Sequence, residues 1–216
     1  MSPACSTFDP ACRRCPRLAA FREESGRKFP GYHAAPVAAF GDANPRWLIV
    51  GLAPGMHGAN RTGRPFTGDH AGVLLYETLH AVGVSSAAVS ESRDDGLQLR
   101  GVRITNAVKC VPPANKPTPA EARECNNWLK AEFKQHQKLR VILALGRIAH
   151  DAILDAVGES RGAHRFAHAA EHRLANGCWL IDSYHCSRYN TQTRRLTPAM
   201  FEAVFGRARA LLDGGS

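Results

Sequence analysis

The residues best placed to do chemistry begin at Gly51. The segment GLAPGMHGANRTGRPFTGD at 51 to 69 follows directly on the apolar run Trp47 to Val50, so it reads as a long glycine-rich loop leaving the end of a strand. Gly51, Gly55, Gly58, Gly63 and Gly68 let the backbone approach a ligand closely and take up positive φ. Their exposed N–H groups suit a phosphate or a planar polar base. Phe66 adds a stacking face and Asp69 a carboxylate.

Cysteines form a second group. Cys12 and Cys15 make a CxxC pair, and Cys110 and Cys125 bracket the start of a predicted helix far along the chain. Four thiolates from two separated segments can close a tetrahedral zinc site or hold a [4Fe-4S] cluster, and ligand type alone leaves the two equal. Cys5, Cys178 and Cys186 read as spare, with Cys5 the substitute ligand. Seven cysteines is an odd number for a disulfide framework.

The elements that position these residues follow from periodicity. Short apolar runs at Trp47 to Val50, Arg103 to Val108, Val141 to Leu145 and Trp179 to Tyr184 predict four strands. Amphipathic spacing predicts helices from Pro16 to about residue 24, His70 to Val82, Thr118 to about Gln135, Arg147 to Ala156, and Thr197 to about Leu212. Thr118-Pro-Ala-Glu121 is a capping box with proline at the first helical position. Strands alternating with helices predict an α/β protein, a three-layer αβα arrangement with a central four-stranded, mainly parallel sheet. Residues 1–46 read as a cysteine-bearing flap on a single domain, with 26–46 irregular, and 84–96 as a surface loop. His164, His168 and His172 fall in a loop or hairpin rather than a metal site.

In such sheets ligands lie outside the carboxyl ends of the strands. That rule gathers the glycine loop, the stretch Asn106 to Asn115, and the stretch His185 to Arg195. The chain has 216 residues, 44% of them hydrophobic, and a net charge of +9. That charge points to a polyanionic partner, nucleic acid first. No run approaches the length of a membrane span and the start lacks the apolar core of a signal peptide. The expectation is a cytoplasmic monomer with no membrane partner.

Three blocks carry a family resemblance: GLAPGMHGANRTGRPFTGDHAG at 51 to 72, ITNAVKCVPPANKPTPAEARECNNWL at 104 to 129, and SYHCSRYNTQTRRLT at 183 to 197. Together they resemble the uracil-DNA glycosylase superfamily, and within it the iron-sulfur group called family 5 or type b. The related family 4 has an acid near the start of its first block. Here Ala53 to His57 offer none, which points to family 5.

The resemblance implies a monofunctional enzyme that flips uracil, and other deaminated bases, out of DNA and hydrolyses the N-glycosidic bond. By it, Phe66 stacks on the base, while Asn106 and the backbone of Gly55, His57 and Gly58 bond its polar edge. His185 stabilises the departing uracil, Asp69 orients water or steadies the sugar cation, and Asn115 assists. The alternative readings are a turn residue for Asn106 and for Asn115, and for Asp69 the cap of the helix beginning at His70, which is compatible with its site role. Ser187, Arg188, Tyr189 and Asn190 form the DNA-contacting tip, with Tyr189 as the wedge. Arg61, Arg64, Lys116, Arg194 and Arg195 read as a phosphate-facing patch. The resemblance also favours [4Fe-4S] over zinc at Cys12, Cys15, Cys110 and Cys125. The competing reading is a non-catalytic nucleic-acid-binding protein with a metal staple.

Overall fold

The computed structural model describes residues 8–214. Cys5, the predicted substitute ligand, lies outside them. Six strands are found among the described residues: β1 (Phe40–Gly41), β2 (Trp47–Gly51), β3 (Val102–Asn106), β4 (Val141–Leu145), β5 (Glu171–Arg173) and β6 (Trp179–Ser183). Their order across the sheet is β1-β3-β2-β4-β6-β5. The four predicted strands are the parallel centre. The expected count of four is corrected to six, because β1 and β5 pair antiparallel along the two edges. Both are two or three residues long and carry no apolar run, so nothing in their hydrophobicity announces them. Edge strands this short, one of them charged, also discourage further pairing.

Among the described residues seven α-helices surround the sheet: α1 (Pro16–Lys28), α2 (Ala59–Thr62), α3 (His70–Ala81), α4 (Pro119–Gln135), α5 (Arg147–Val157), α6 (Arg188–Gln192) and α7 (Pro198–Asp213). The capping box at Thr118 forms as predicted, with Thr118 accepting from the Glu121 N–H and Glu121 accepting from the Thr118 N–H. The first helix runs four residues further than expected, to Lys28.

Alternation within the strands builds two cores. Trp47 and Ile49 point to the face packed by Leu75 and Leu79 of α3 and Phe201 and Phe205 of α7. Leu48 and Val50 point to the opposite face, against Leu129 of α4 and Ile153 of α5. Because both faces are covered, the strand has no polar side, which is why its sequence is continuously apolar. A third cluster joins α1 to α4 through Leu18, Val108, Cys110, Cys125 and Trp128.

Register sets the four carboxyl ends side by side. Gly51 is opposite Asn106, and Leu145 is opposite Ser183. The 84–96 segment is the predicted loop, and one residue ties it to the glycine loop. Arg64 is buried, donates to Asp95 Oδ1 at 2.7 Å, Ser90 Oγ at 2.9 Å and the Arg93 carbonyl at 2.6 Å, and lies 4.3 Å over the Phe40 ring. It is therefore not part of a phosphate-facing patch, a correction to the sequence reading. Burial disfavours the Asp95 carboxylate, but the Leu97 N–H and the Arg64 guanidinium pull it down to about 2. Next to Arg64, Tyr76 donates to the Pro65 carbonyl at 3.0 Å, and the Thr67 and Ser90 hydroxyls meet at 2.7 Å. Phe66 is thus held on both sides.

Truncating Arg64 leaves the Asp95 carboxylate, the Ser90 hydroxyl and the Arg93 carbonyl without their donor. Arg64→Ala is expected to lower stability by about 3 kcal/mol, in the range for breaking a buried pair. Urea unfolding followed by circular dichroism measures it, and an unchanged midpoint would contradict the role given to this side chain.

Candidate active site

Gly51, at the end of β2, is where three segments meet. A Cβ there would lie 2.4 Å from the Phe66 ring and 2.5 Å from Asn106 Oδ1, so only glycine admits both. Phe66 itself takes φ +55°, a left-handed conformation unusual for a bulky residue. The contacts of Arg64, Pro65 and Thr67 hold it there. Gly72 plays the same part on α3, where a Cβ would fall 1.8 Å from the Phe66 carbonyl oxygen.

The glycines of the loop divide into two kinds. Gly63 and Gly68 take positive φ, as expected for turns. Gly55 and Gly58 instead make room for a carboxylate: a Cβ would lie 3.0 Å and 2.1 Å, respectively, from Asp69 Oδ2. The other oxygen, Oδ1, accepts from the Gly72 N–H at 3.1 Å and caps α3. Both readings of Asp69 therefore hold: it caps a helix and it faces the site.

Outside the carboxyl ends of the strands lies an open, mostly apolar cavity of about 520 Å³. Gly55, Phe66, Asp69, Asn106, Asn115, His185, Ser187 and Arg188 all line it, drawing every predicted block to one place. Asn106 is 3% exposed and its Oδ1 has no hydrogen-bond partner. A buried acceptor left open in this way is costly unless a ligand donates to it. Asn115, at φ +55° in a short 3₁₀ turn, sits at the exposed rim.

His185 follows β6. Its ring stacks toward Phe66, with centroids 6.0 Å apart and planes 28° from parallel. The Asn190 amide donates to the His185 carbonyl at 2.8 Å, and Ser187 caps α6. Burial pulls the imidazole below its ordinary value, with Asp69 opposing in part, so the ring is neutral at neutral pH.

Some predicted residues lie elsewhere. His57 is exposed, bonds the Tyr32 hydroxyl through Nδ1 at 2.8 Å and does not line the cavity. Gly58 packs on Asp69 instead of lining it. Tyr189 is 70% exposed on α6, outside the cavity wall, and Asn190 holds backbone. Arg61 is pinned to the His57 carbonyl at 2.8 Å. Arg194 and Lys116 are exposed, and Arg195 lies over the Tyr184 ring. The sequence reading missed the wall made by Gly146, Arg147 and Ile148. The strand-end rule applied to β4 would have found it.

Cys12, Cys15, Cys110 and Cys125 line one small recess with Arg22, Lys109 and Trp128, and all four are free thiols. Burial raises Cys15 to about 11 and Cys110 to about 12, and neighbouring thiols add to both. Four such groups become thiolates together only with positive charge among them. The Lys109 N–H donates to Cys125 Sγ at 3.2 Å. Among the described residues, no three of these sulfurs gather within 4.8 Å of one another. Cys178 and Cys186, read from the sequence as spare, are buried in the two main cores and do not line this recess.

A sheet with its ligand cavity at the carboxyl edge, an open amide acceptor, a neutral histidine and a carboxylate define a class, and comparison with known proteins agrees with it. The family model described as the uracil DNA glycosylase superfamily matches residues 38–209. The chain belongs to that superfamily. Within it, the type-5 uracil-DNA glycosylase of Thermus thermophilus is 53% identical over 93% of this chain and 94% of its own length. That of Pyrobaculum aerophilum is 41% identical over 92% and 88%. A type-4 enzyme of Thermotoga maritima matches only 55% of this chain, at 37% identity. The crystal structure of Pedobacter heparinus SMUG2 covers 100% of this chain with a TM-score of 0.52 at 15% identity, a likeness of fold.

A methyl at Gly51 must displace either Phe66 or the Asn106 amide. Gly51→Ala is expected to slow uracil release from DNA by about 10-fold or more, in line with the cost of a misplaced binding group. Single-turnover cleavage checks it, and a rate equal to that of the parent would show the close approach to be dispensable.

Proposed function

We propose that this DNA-repair glycosylase draws uracil, and other deaminated bases, from DNA into the cavity at the sheet edge and hydrolyses the N-glycosidic bond there, leaving an abasic site. The observation that carries this reading is the open acceptor of Asn106. An amide offers one donor and one acceptor side by side, matching the O4 and N3–H of uracil. Flipping a base loses a few kcal/mol of stacking. Phe66, rigidly held, returns part of it by stacking on the base.

Bond cleavage puts negative charge on uracil and positive charge on the sugar. His185, neutral and facing the cavity, donates to the uracil oxygen as that charge develops, an interaction stronger in the transition state than in the ground state. Asp69 Oδ2 orients water or steadies the sugar cation, while Oδ1 is fixed by the cap. Asn115 assists from the rim. Ser187 and Arg188 meet the backbone, and Tyr189, exposed on the tip, fills the gap left by the flipped base. Binding falls with salt as phosphate contacts release counterions.

Cys12, Cys15, Cys110 and Cys125 fit a [4Fe-4S] cluster. Zinc at about 2.3 Å from each sulfur would draw the four to about 3.8 Å apart, and the wider spacing here suits a larger group. When bound, the cluster supplies positive charge for the thiolates and staples residues 12–15 to α4. The protein is then expected to be brown, with iron and sulfide in equal amounts, and Cys110→Ser to lose both colour and thermal stability. Colourless protein carrying one zinc would overturn this.

Oligonucleotides carrying uracil, hypoxanthine or thymine test the reaction. Single-turnover rates should fall by about 100-fold or more for His185→Ala and Asp69→Ala, and by about 10- to 100-fold for Asn106→Ala. Because burial lowers His185, its protonation and the accompanying loss of rate lie on the acid side of about 6.5 and vanish in His185→Ala. Tyr189→Ala should lose more on duplex than on single strands. No abasic product at stoichiometric protein would favour the metal-stapled binding protein instead.

A further inference from the structure

Behind the cavity lies a cluster of titratable groups that the glycosylase reading does not use. Asp182, on β6 with a side chain 0% exposed, meets His150 Nδ1 through Oδ1 at 2.7 Å and His172 Nε2 through Oδ2 at 3.2 Å. His150 belongs to the first turn of α5 and His172 to β5. Their ligand atoms lie within 4.8 Å of one another, the raw material of a metal site.

Hydrogen bonding points elsewhere. The second nitrogen of His150, Nε2, faces the His164 carbonyl at 3.0 Å. A carboxylate and a carbonyl only accept, so both nitrogens of this ring must donate. His150 is therefore an imidazolium, and neither nitrogen keeps a lone pair for a metal. Burial opposes that charge, and the hydrogen bond and charge of Asp182 outweigh it, lifting His150 above its ordinary value.

The cluster joins the segments that carry two walls of the cavity. α5 opens with Gly146, Arg147 and Ile148, all lining the cavity, and β6 leads directly to His185. The Gly146 N–H donates to the Ser183 carbonyl at 2.8 Å, and a Cβ on Gly146 would lie 3.4 Å from His185 Cβ. We propose that His150 and Asp182 are positioning residues of the glycosylase site: a buried imidazolium–carboxylate clasp, steadied by His172, that fixes the start of α5 against the end of β6 and so sets where His185 stands. The proposal rests on the glycosylase reading of His185.

The groups facing the His150 ring are Asp182 of β6, His172 of β5 and the His164 carbonyl. Asp151 lies on its own helix, and His164 itself bonds Glu159 at 2.5 Å. Since His150 is raised, the clasp is complete below about 6.5 and is lost as pH rises from there through the raised value.

Long-range proton–nitrogen spectra of the histidine rings, with single-turnover cleavage of a uracil duplex and duplex affinity, test the clasp in the intact protein. The His150 ring should carry both protons at about pH 6, below the ordinary imidazole value, and lose one only as pH rises above about 6.5. His150→Gln, which cannot donate to both acceptors, should lose on the order of 10- to 100-fold in cleavage rate with duplex affinity unchanged. It should also lose the alkaline limb of the parent's rate. His172→Gln still donates to Asp182 and should keep most of the rate, whereas His172→Ala should not. A neutral His150 ring at about pH 6, parental rates in His150→Gln, or stoichiometric zinc chloride shifting the His150 and His172 signals would each overturn the proposal. A parent that releases no uracil would instead sink the glycosylase reading, with the ring spectra still deciding the charge on His150.

Discussion

The pocket depends on a missing side chain. At Gly51 a strand end, an aromatic ring and an amide approach so closely that a single methyl would lie 2.4 Å from the Phe66 ring and 2.5 Å from Asn106 Oδ1. Everything upstream serves that approach. Parallel pairing brings Gly51 opposite Asn106, and the Arg64 contacts hold Phe66 in a left-handed conformation it would not choose alone. Strain of this kind persists only where the surroundings over-determine it. Here a buried guanidinium, a tyrosine hydroxyl and a threonine hydroxyl all act within two residues of Phe66.

Asp69 shows how the same economy governs charge. One oxygen satisfies the Gly72 N–H at the start of α3, while the other lies over Gly55 and Gly58 at the cavity edge. A carboxylate bound on one side only is oriented without being neutralised, which suits a group that must act on a developing cation or a water. The glycines of the loop thus serve the protein's own carboxylate as much as any ligand.

Much of this was legible in the sequence. The apolar runs beginning at Trp47, Arg103, Val141 and Trp179 announce the parallel strands because both faces of the sheet are buried. The blocks at 51, 104 and 183 announce the cavity because all three follow strand ends. What escaped was structure with no periodic signal. The edge strand β1 is only two residues, β5 is three charged or polar ones, and α2 is only four residues within a glycine-rich loop. Arg64 reads like any surface arginine, since its burial comes from a loop about thirty residues away. His57 reads like a ligand, since its turn toward Tyr32 is a tertiary choice.

Two histidines held in opposite states close the account of how the site is built. His185 and His150 are both withdrawn from water, and burial alone would make both neutral. His185 has Asp69 in its neighbourhood but no hydrogen bond to it, so burial wins and the ring stays neutral, ready to donate without carrying a charge into an apolar cavity. His150 has Asp182 at 2.7 Å and a carbonyl behind it, so the partner wins and the charge stays. Distance and direction to one carboxylate therefore separate a group that meets substrate from one that holds the frame. The charged ring is kept where no substrate reaches, and the neutral one where charge has still to develop.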